Sequence, residues 1–210
     1  MKKIINYLNE TIKKQKQILV FTIFIFLIGL IIGSLFINFV NEHDKLLLIN
    51  QVNTYFENIK SLSSEVIGIN VFTNTLQNNY LQLLLIFTLG ISMIGVLVVI
   101  FILFFKGFTL GVTLSSIILK YQIKGVLASF LYIFPVVILN IFIYLFMSFF
   151  AVHASVKFLS SLIKKDKLNF KSFLGKYSLS FILSLICMLL CSLLEAFLSP
   201  LLLKLFTFII

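Results

Sequence analysis

The residue best placed to do chemistry in this chain is Glu195, the one acidic residue in the last apolar stretch, just before Ser199 and Pro200. A carboxylate at bilayer depth is costly, so an acidic residue inside a membrane span predicts a role that involves a partner. Two interpretations stay open: a clasp between helices, and a site for a partner protein, an ion or a proton. We expect Lys120 or Lys124 to approach Glu195 from another helix.

Cys187, Cys191, Glu195 and Ser199 follow one another at intervals of four residues. This spacing places side chains on one face of a helix. A zinc or iron site would need further ligands close in the sequence, and this stretch offers none. Cysteines in an apolar span usually act as small buried apolar side chains, so we expect no metal here.

Motifs of catalysis are absent from the sequence. The two histidines, His43 and His153, flank different apolar segments, and the chain has no phosphate-binding loop, zinc-protease motif or nucleophile elbow. We therefore expect a protein that is not an enzyme and that binds no cofactor.

Composition excludes an ordinary soluble domain. Apolar residues make up 60% of the 210 positions and charged residues 11%, against about 45–50% and about 25% in soluble proteins. The net charge of +10 comes from lysine alone and is concentrated in residues 1–17 and 157–176. Because both blocks flank apolar stretches, they indicate membrane topology and lipid contact rather than nucleic-acid binding.

Apolar segments predict a single all-α membrane domain, a polytopic helix bundle. We expect five spans, the third one short, at about 18–40, 81–105, 107–119, 126–151 and 177–203. The first is too long for a signal-peptide core. Placing both lysine-rich regions in the cytoplasm requires an even number of crossings between them. The N-terminus and the loop 152–176 are then cytoplasmic, and the loop 41–80 and the C-terminus are extracytoplasmic.

Within the loop 41–80, apolar residues recur at helical spacing and predict an amphipathic helix. One interpretation is a helix that packs on the bundle or the membrane surface. The other is a docking surface for an extracytoplasmic partner, with Tyr55, Phe56 and Ile59 as the contact residues.

Small and polar residues inside the spans predict close helix packing. Packing within the bundle and formation of a homo-oligomer are both open for the glycine pairs. Pro135 predicts a kink in the fourth span, and Asn140 can hydrogen bond across helices. The packing positions are Gly29, Gly33, Gly90, Gly95, Gly107, Gly111, Ser115, Pro135 and Asn140.

Three stretches of the chain resemble the stage II sporulation protein M family. They are Leu-Gly-Ile-Ser-Met-Ile-Gly at 89–95, Phe-Lys-Gly-Phe-Thr-Leu-Gly-Val-Thr at 105–113, and Leu-Glu-Ala-Phe-Leu-Ser-Pro at 194–200. The second is similar to the family's F-x-K-G-F-x-x-G-F-T run and the third to its I-E-A-(F/Y)-x-(S/T)-P ending.

The resemblance implies a non-enzymatic membrane scaffold of the engulfment machinery. Such a protein is expected to localise two peptidoglycan-degrading partners, of the sporulation protein D and P types, at the sporulation septum. The alternative is a membrane subunit of a transport system that works with a cytoplasmic ATPase, because relatives of this family also occur in organisms that do not sporulate.

Overall fold

The structure is a computed structural model that describes residues 10–61, 64–92, 94–132, 137–164 and 170–209. All regular secondary structure in these ranges is helical. Pro135 lies outside the described residues. The helices follow one another as α1 (Lys16–Phe39), α2 (Glu42–Ser61), α3 (Ser64–Gly90), α4 (Gly95–Tyr132), α5 (Ile138–Lys164) and α6 (Phe170–Ile209).

Four of these helices are long and apolar enough to cross a membrane. They are α1, α4 up to Leu127, α5 up to Ile163, and α6 from Lys171 to Leu198. The chain is therefore a multi-pass membrane protein with an all-helical fold. Helix α3 is long, but its 27 residues are less apolar on average than those of the other four.

Helix boundaries differ from the predicted segments in the middle of the chain. The segment 81–105 is interrupted, since α3 ends at Gly90 and α4 begins at Gly95. The segment 107–119 is not separate, because α4 continues through Lys106 without a break. The segment 126–151 includes the end of α4 and the first half of α5. A charged residue was taken as a boundary, whereas the chain breaks at glycines.

The turn between α3 and α4 is built by two glycines and a serine. The Gly95 amide donates to the Ser92 carbonyl over 3.2 Å, and a Cβ on Gly95 would lie 3.3 Å from the Gly90 nitrogen. A Cβ on Gly90 would lie 2.9 Å from Cα of Ala151 in α5. The hydroxyl of Ser155 in α5 donates to the Ser92 carbonyl. Both glycines therefore allow a tight turn to sit against α5.

Helices α1 and α4 pack side by side and run in the same direction. A Cβ on Gly29 would lie 3.1 Å from the Phe104 carbonyl carbon, and a Cβ on Gly33 would lie 2.8 Å from Cα of Phe108. One turn further along each helix leads to the next contact, so the two helices are parallel. The glycine pair of α1 therefore packs against another helix of the same chain.

Two glycines of α4 form the other side of this contact with α1. A Cβ on Gly107 would lie 3.0 Å from the Leu30 nitrogen, and one on Gly111 would lie 2.8 Å from the Ser34 nitrogen. Further along, the Ser115 hydroxyl donates to the Ser34 carbonyl over 3.1 Å. Small residues on both helices let the backbones approach and gain van der Waals contact in lipid, where the hydrophobic effect does not drive association.

Helix α5 is the centre of the bundle. In its most apolar window 61% of the residues are buried, compared with 22–28% in the other three apolar helices. Met147, Phe149 and Phe150 of α5 are almost fully buried in the main core. Because α5 contacts α1, α3, α4 and α6, polar side chains on it are well placed to meet partners from several helices.

The lysine-rich parts of the chain gather at one end of the bundle, which we call the basic end. Residues 10–18 of the N-terminal region face residues 153–160 of α5 and Lys176 of α6 across a shared cavity. The turn at 91–94 also lies here, since Ser92 contacts Ser155. Helices α1, α4 and α6 therefore start at the basic end, while α3 and α5 finish there.

Gln122 interrupts α4 near its opposite end with φ 52° and ψ −129°. Residues other than glycine rarely adopt these backbone angles. Holding such a residue there costs about 1–3 kcal/mol. We expect Gln122→Gly to raise the free energy of unfolding by about 1 kcal/mol, measured by thermal unfolding in detergent with circular dichroism. Gln122→Ala is the control, since alanine keeps the Cβ and should give no gain. Equal stability of both variants would contradict the prediction.

Candidate functional site

A polar cluster surrounds Glu195 inside the apolar bundle. The Asn140 amide Nδ2 of α5 donates to Glu195 Oε2 over 3.4 Å. Thr75 of α3 is a second hydrogen-bond partner of the carboxyl, and the charge of Lys106 in α4 acts on it through space. Four helices thus meet at one acidic side chain, in the half of α6 remote from the basic end.

Lys106 extends the polar cluster toward the bundle centre. Its Nζ donates to Gln82 Oε1 over 2.8 Å and lies 4.4 Å from the centre of the Tyr144 ring. The Tyr144 hydroxyl donates to Asn79 Oδ1 over 2.9 Å. A charged amine held by an amide oxygen and an aromatic face is the arrangement expected for a cation with little access to water.

Helical spacing explains how the polar cluster is assembled. Thr75, Asn79 and Gln82 are four and three residues apart, so α3 presents all three on one face. Asn140 and Tyr144 are four apart on α5 and do the same. The members of the polar cluster are Thr75, Asn79, Gln82, Lys106, Asn140, Tyr144 and Glu195.

One polar atom of the cluster has no partner among the described residues. The Asn140 side-chain oxygen Oδ1 is buried and receives no hydrogen bond there, while its Nδ2 donates to Glu195. A protonated Glu195 carboxyl would be a hydrogen-bond donor, and this oxygen is an acceptor. Asn140 can therefore serve Glu195 in either protonation state, as hydrogen-bond donor or as acceptor.

The lysine that acts on Glu195 differs from the predicted one. We expected Lys120 or Lys124, but Lys120 donates to the Tyr121 hydroxyl over 2.6 Å, and Lys106 is the lysine whose charge reaches Glu195. The error has a physical cause. Lys106 was placed at a membrane boundary, whereas α4 is continuous and carries Lys106 into the bundle.

Cavities of about 500, 400 and 330 Å³ lie elsewhere in the described part of the bundle, and none of these three is lined by Glu195. Among the residues that the structure describes, no three His, Cys, Asp or Glu side chains come together as metal ligands would. The arrangement can hold helices in register and can carry a proton or a charge.

Other predicted positions lie apart from the polar cluster or outside the described side chains. Cys191 is buried and Cys187 half-buried, both as free thiols on the helix that carries Glu195. Ser199 and Pro200 belong to α6, and Tyr55, Phe56 and Ile59 belong to α2. The side chains of these last five residues lie outside the described part of the structure.

Sequence reasoning missed most of the polar cluster. Lys106 carried a detectable signal, because no charged residue stands between Glu65 and Lys106 or between Lys106 and Lys120. The rule that singled out Glu195 applies equally to this lysine. Asn79 and Gln82 gave weaker signals, because neutral polar residues are common near span ends.

The chain matches a known protein family. The model of the family SpoIIM, Stage II sporulation protein M, matches residues 22–200. The matched region covers most of the chain and contains the polar cluster, the glycine contact of α1 with α4 and the turn at 91–94. Neither the curated proteins nor the solved structures contain a match.

Proposed function

This chain belongs to the stage II sporulation protein M family, and from that premise we propose that it is a non-enzymatic membrane scaffold. Its role is to hold peptidoglycan-degrading partners, of the sporulation protein D and P types, at the septum during engulfment. Family membership suggests a sporulation-related membrane protein, and the four apolar helices agree with a multi-pass membrane location. The scaffold role and the partners are our proposal.

The exposed surface of helix α2 is the observation that best supports a scaffold. It lies outside the set of apolar helices and packs most closely on α4. Its first turns expose Leu46 by 59% and Leu47 by 50%, beside the exposed acidic residues Glu42 and Asp44. An exposed apolar pair with a polar surround is typical of a surface that receives another protein.

Orientation follows from charge. We propose that the basic end faces the cytoplasm, because lysine-rich segments stay on that side. Helix α2 then lies outside the cell membrane, where peptidoglycan is. Since α1 and α4 are parallel, the chain between them must return across the bilayer, and α3 is the helix that does so. Five crossings result, with the C-terminus outside, and α3 is less apolar because it carries Thr75, Asn79 and Gln82.

A crosslinked pull-down tests the scaffold. The tagged protein is recovered from its host during wall remodelling, and bound proteins are identified by mass spectrometry. We expect peptidoglycan hydrolases to be recovered. Replacing Tyr55, Phe56 and Ile59 with alanine, or Leu46 and Leu47 with serine, should reduce that recovery about tenfold, as expected for loss of interface anchors.

The control for this experiment is Asn50→Ser with Thr54→Ser, two exposed polar positions on the same helix. It should keep hydrolase recovery at the wild-type level. Equal hydrolase recovery from all variants would remove α2 as the docking surface. Recovery of a cytoplasmic ATPase with no hydrolase would refute the scaffold.

A second candidate function is a membrane subunit of a transport system that works with a cytoplasmic ATPase. The polar cluster favours it, because Lys106 and Glu195 are the kind of ionisable pair that lines pathways in transporters. The exposed apolar pair Leu46 and Leu47 of α2 favours the scaffold instead. Under the transport proposal, the ATPase recovered in the pull-down would depend on the cytoplasmic residues 152–176 rather than on α2.

A further inference from the structure

Three helices converge on a cavity of about 500 Å³ at the basic end. Lys14 from the N-terminal region, Lys157 from α5 and Lys176 from α6 all line it. Glu10 is the acidic residue among the lining side chains, so three positive charges face one negative charge. Hydrogen-bonding groups on Ser160 and other lining residues complete a wall suited to a phosphate group.

An apolar groove of about 400 Å³ lies further along the same three helices, in their membrane-spanning part. It is lined by Leu19 and Ile23 of α1, by Phe146 of α5, and by Leu183 and Cys187 of α6. Its surface is almost entirely apolar, in contrast to that of the cavity.

The two spaces lie on one face of α5 and on one face of α6. On α6, Lys176 and Leu183 are seven residues apart, and on α5 Phe146 and His153 have the same spacing, which returns to nearly the same helical face. From Lys176 to Cys187 the helix rises about 16 Å. This length is close to one leaflet of a hydrocarbon core that is about 30 Å thick.

We propose that the cavity and the groove together form a binding site for one anionic phospholipid. The phosphate headgroup lies among Lys14, Lys157 and Lys176, and one acyl chain occupies the groove between α1, α5 and α6. Charge complementarity selects the headgroup, and basic pockets between membrane helices are known to take such groups. The apolar groove selects a lipid over a free phosphate, because a phosphate ion would leave it empty.

A single tryptophan reports on the groove, because the natural chain contains none. Leu183→Trp places the probe in the groove, and Ile182→Trp places it one residue away on the lipid-facing surface, where Ile182 is exposed. Both proteins are reconstituted with phosphatidylglycerol or phosphatidylcholine carrying brominated chains. We expect brominated phosphatidylglycerol to quench the Leu183→Trp probe more strongly, and both lipids to quench the Ile182→Trp probe equally.

Lysine variants test the headgroup site in the same assay. Replacing Lys14, Lys157 and Lys176 with glutamine should weaken binding of phosphatidylglycerol on the order of 100-fold, from about one factor of five per lysine. Replacing Lys13, Lys16 and Lys171, which are not among the residues that line the cavity, removes the same charge and should change binding less than threefold.

Several outcomes would overturn the proposal. Equal losses in the two lysine sets would mean general surface attraction rather than a site. Equal quenching of the Leu183→Trp probe by both lipids would show that the groove does not hold the acyl chain of a selected anionic lipid. Protection of the protein against thermal unfolding by inorganic phosphate as strongly as by phosphatidylglycerol would leave a phosphate site without a lipid. A lipid preference that survives the first lysine set would exclude those three residues as headgroup ligands.

Discussion

Replacing Gly33 with leucine is expected to separate α1 from α4 and to leave little folded protein in the membrane. Even the first carbon of a side chain there would lie 2.8 Å from Cα of Phe108. The obstacle is backbone, which cannot move aside as a flexible side chain can. Overpacking of a tight contact costs about 3 kcal/mol or more when the backbone must shift. Gly111→Leu should act in the same way from α4, because its Cβ meets the Ser34 nitrogen.

Gly175 provides the matched control. It is a helical glycine of α6 with nothing within 4 Å of an added Cβ, so Gly175→Leu should gain up to about 1 kcal/mol of helix propensity. Folded yield and thermal unfolding in detergent are measured for all three variants. A Gly33→Leu protein as stable as the Gly175→Leu protein would show that the α1–α4 contact is not as close as described.

Removing the charge of Lys106 is expected to have the second largest effect. Lys106→Met leaves the Glu195 carboxyl without its opposite charge and Gln82 without its donor. Leaving a partly buried polar oxygen without its donor costs about 1–3 kcal/mol, and the lost attraction to the Glu195 carboxyl adds to that cost. We expect a comparable fall in the free energy of unfolding, measured in detergent micelles by circular dichroism.

A double-mutant cycle separates the pair from its surroundings. Glu195→Gln keeps shape and hydrogen bonding to Asn140, and in the Lys106→Met background it should restore about 1–2 kcal/mol. Lys120→Met is the control lysine, since Lys120 interacts with Tyr121 instead. Additive losses in the double variant would contradict any coupling between Lys106 and Glu195.

The same cycle bears on function. If Lys106 and Glu195 only fix helices in register, the double variant should recruit partners as the wild type does once stability is restored. If they carry charge or protons for transport, activity should be lost even in the restored protein. The pull-down and the unfolding measurements therefore answer different questions about one site.

The sequence patterns predicted the all-helical membrane fold class but not the boundaries of the helices. Long apolar runs predict membrane helices reliably, because the bilayer leaves few other structures. The error came at Lys106, where charge was taken as the end of a span. A charged residue can lie inside a bundle when polar or aromatic side chains of other helices contact it. For Lys106 these side chains are Gln82 and Tyr144, which are distant in sequence.

Two residues of the candidate site, Glu195 and Asn140, were singled out from the sequence, and the others were missed. Glu195 stood out because acidic residues are rare in apolar spans. Its contacts depend on which helices pack together, and residue spacing within one helix does not contain that information. Asn140 was predicted to bond across helices, and its partner in the structure is Glu195.

The parallel contact of α1 with α4 has a consequence for the order of assembly. During synthesis α1 enters the membrane first, yet the glycine surface that it needs belongs to residues 104–111, which follow only after α2 and α3 are made. Until then its own glycine face stays open to lipid or to other proteins. The contact can therefore form only after α4 has been made.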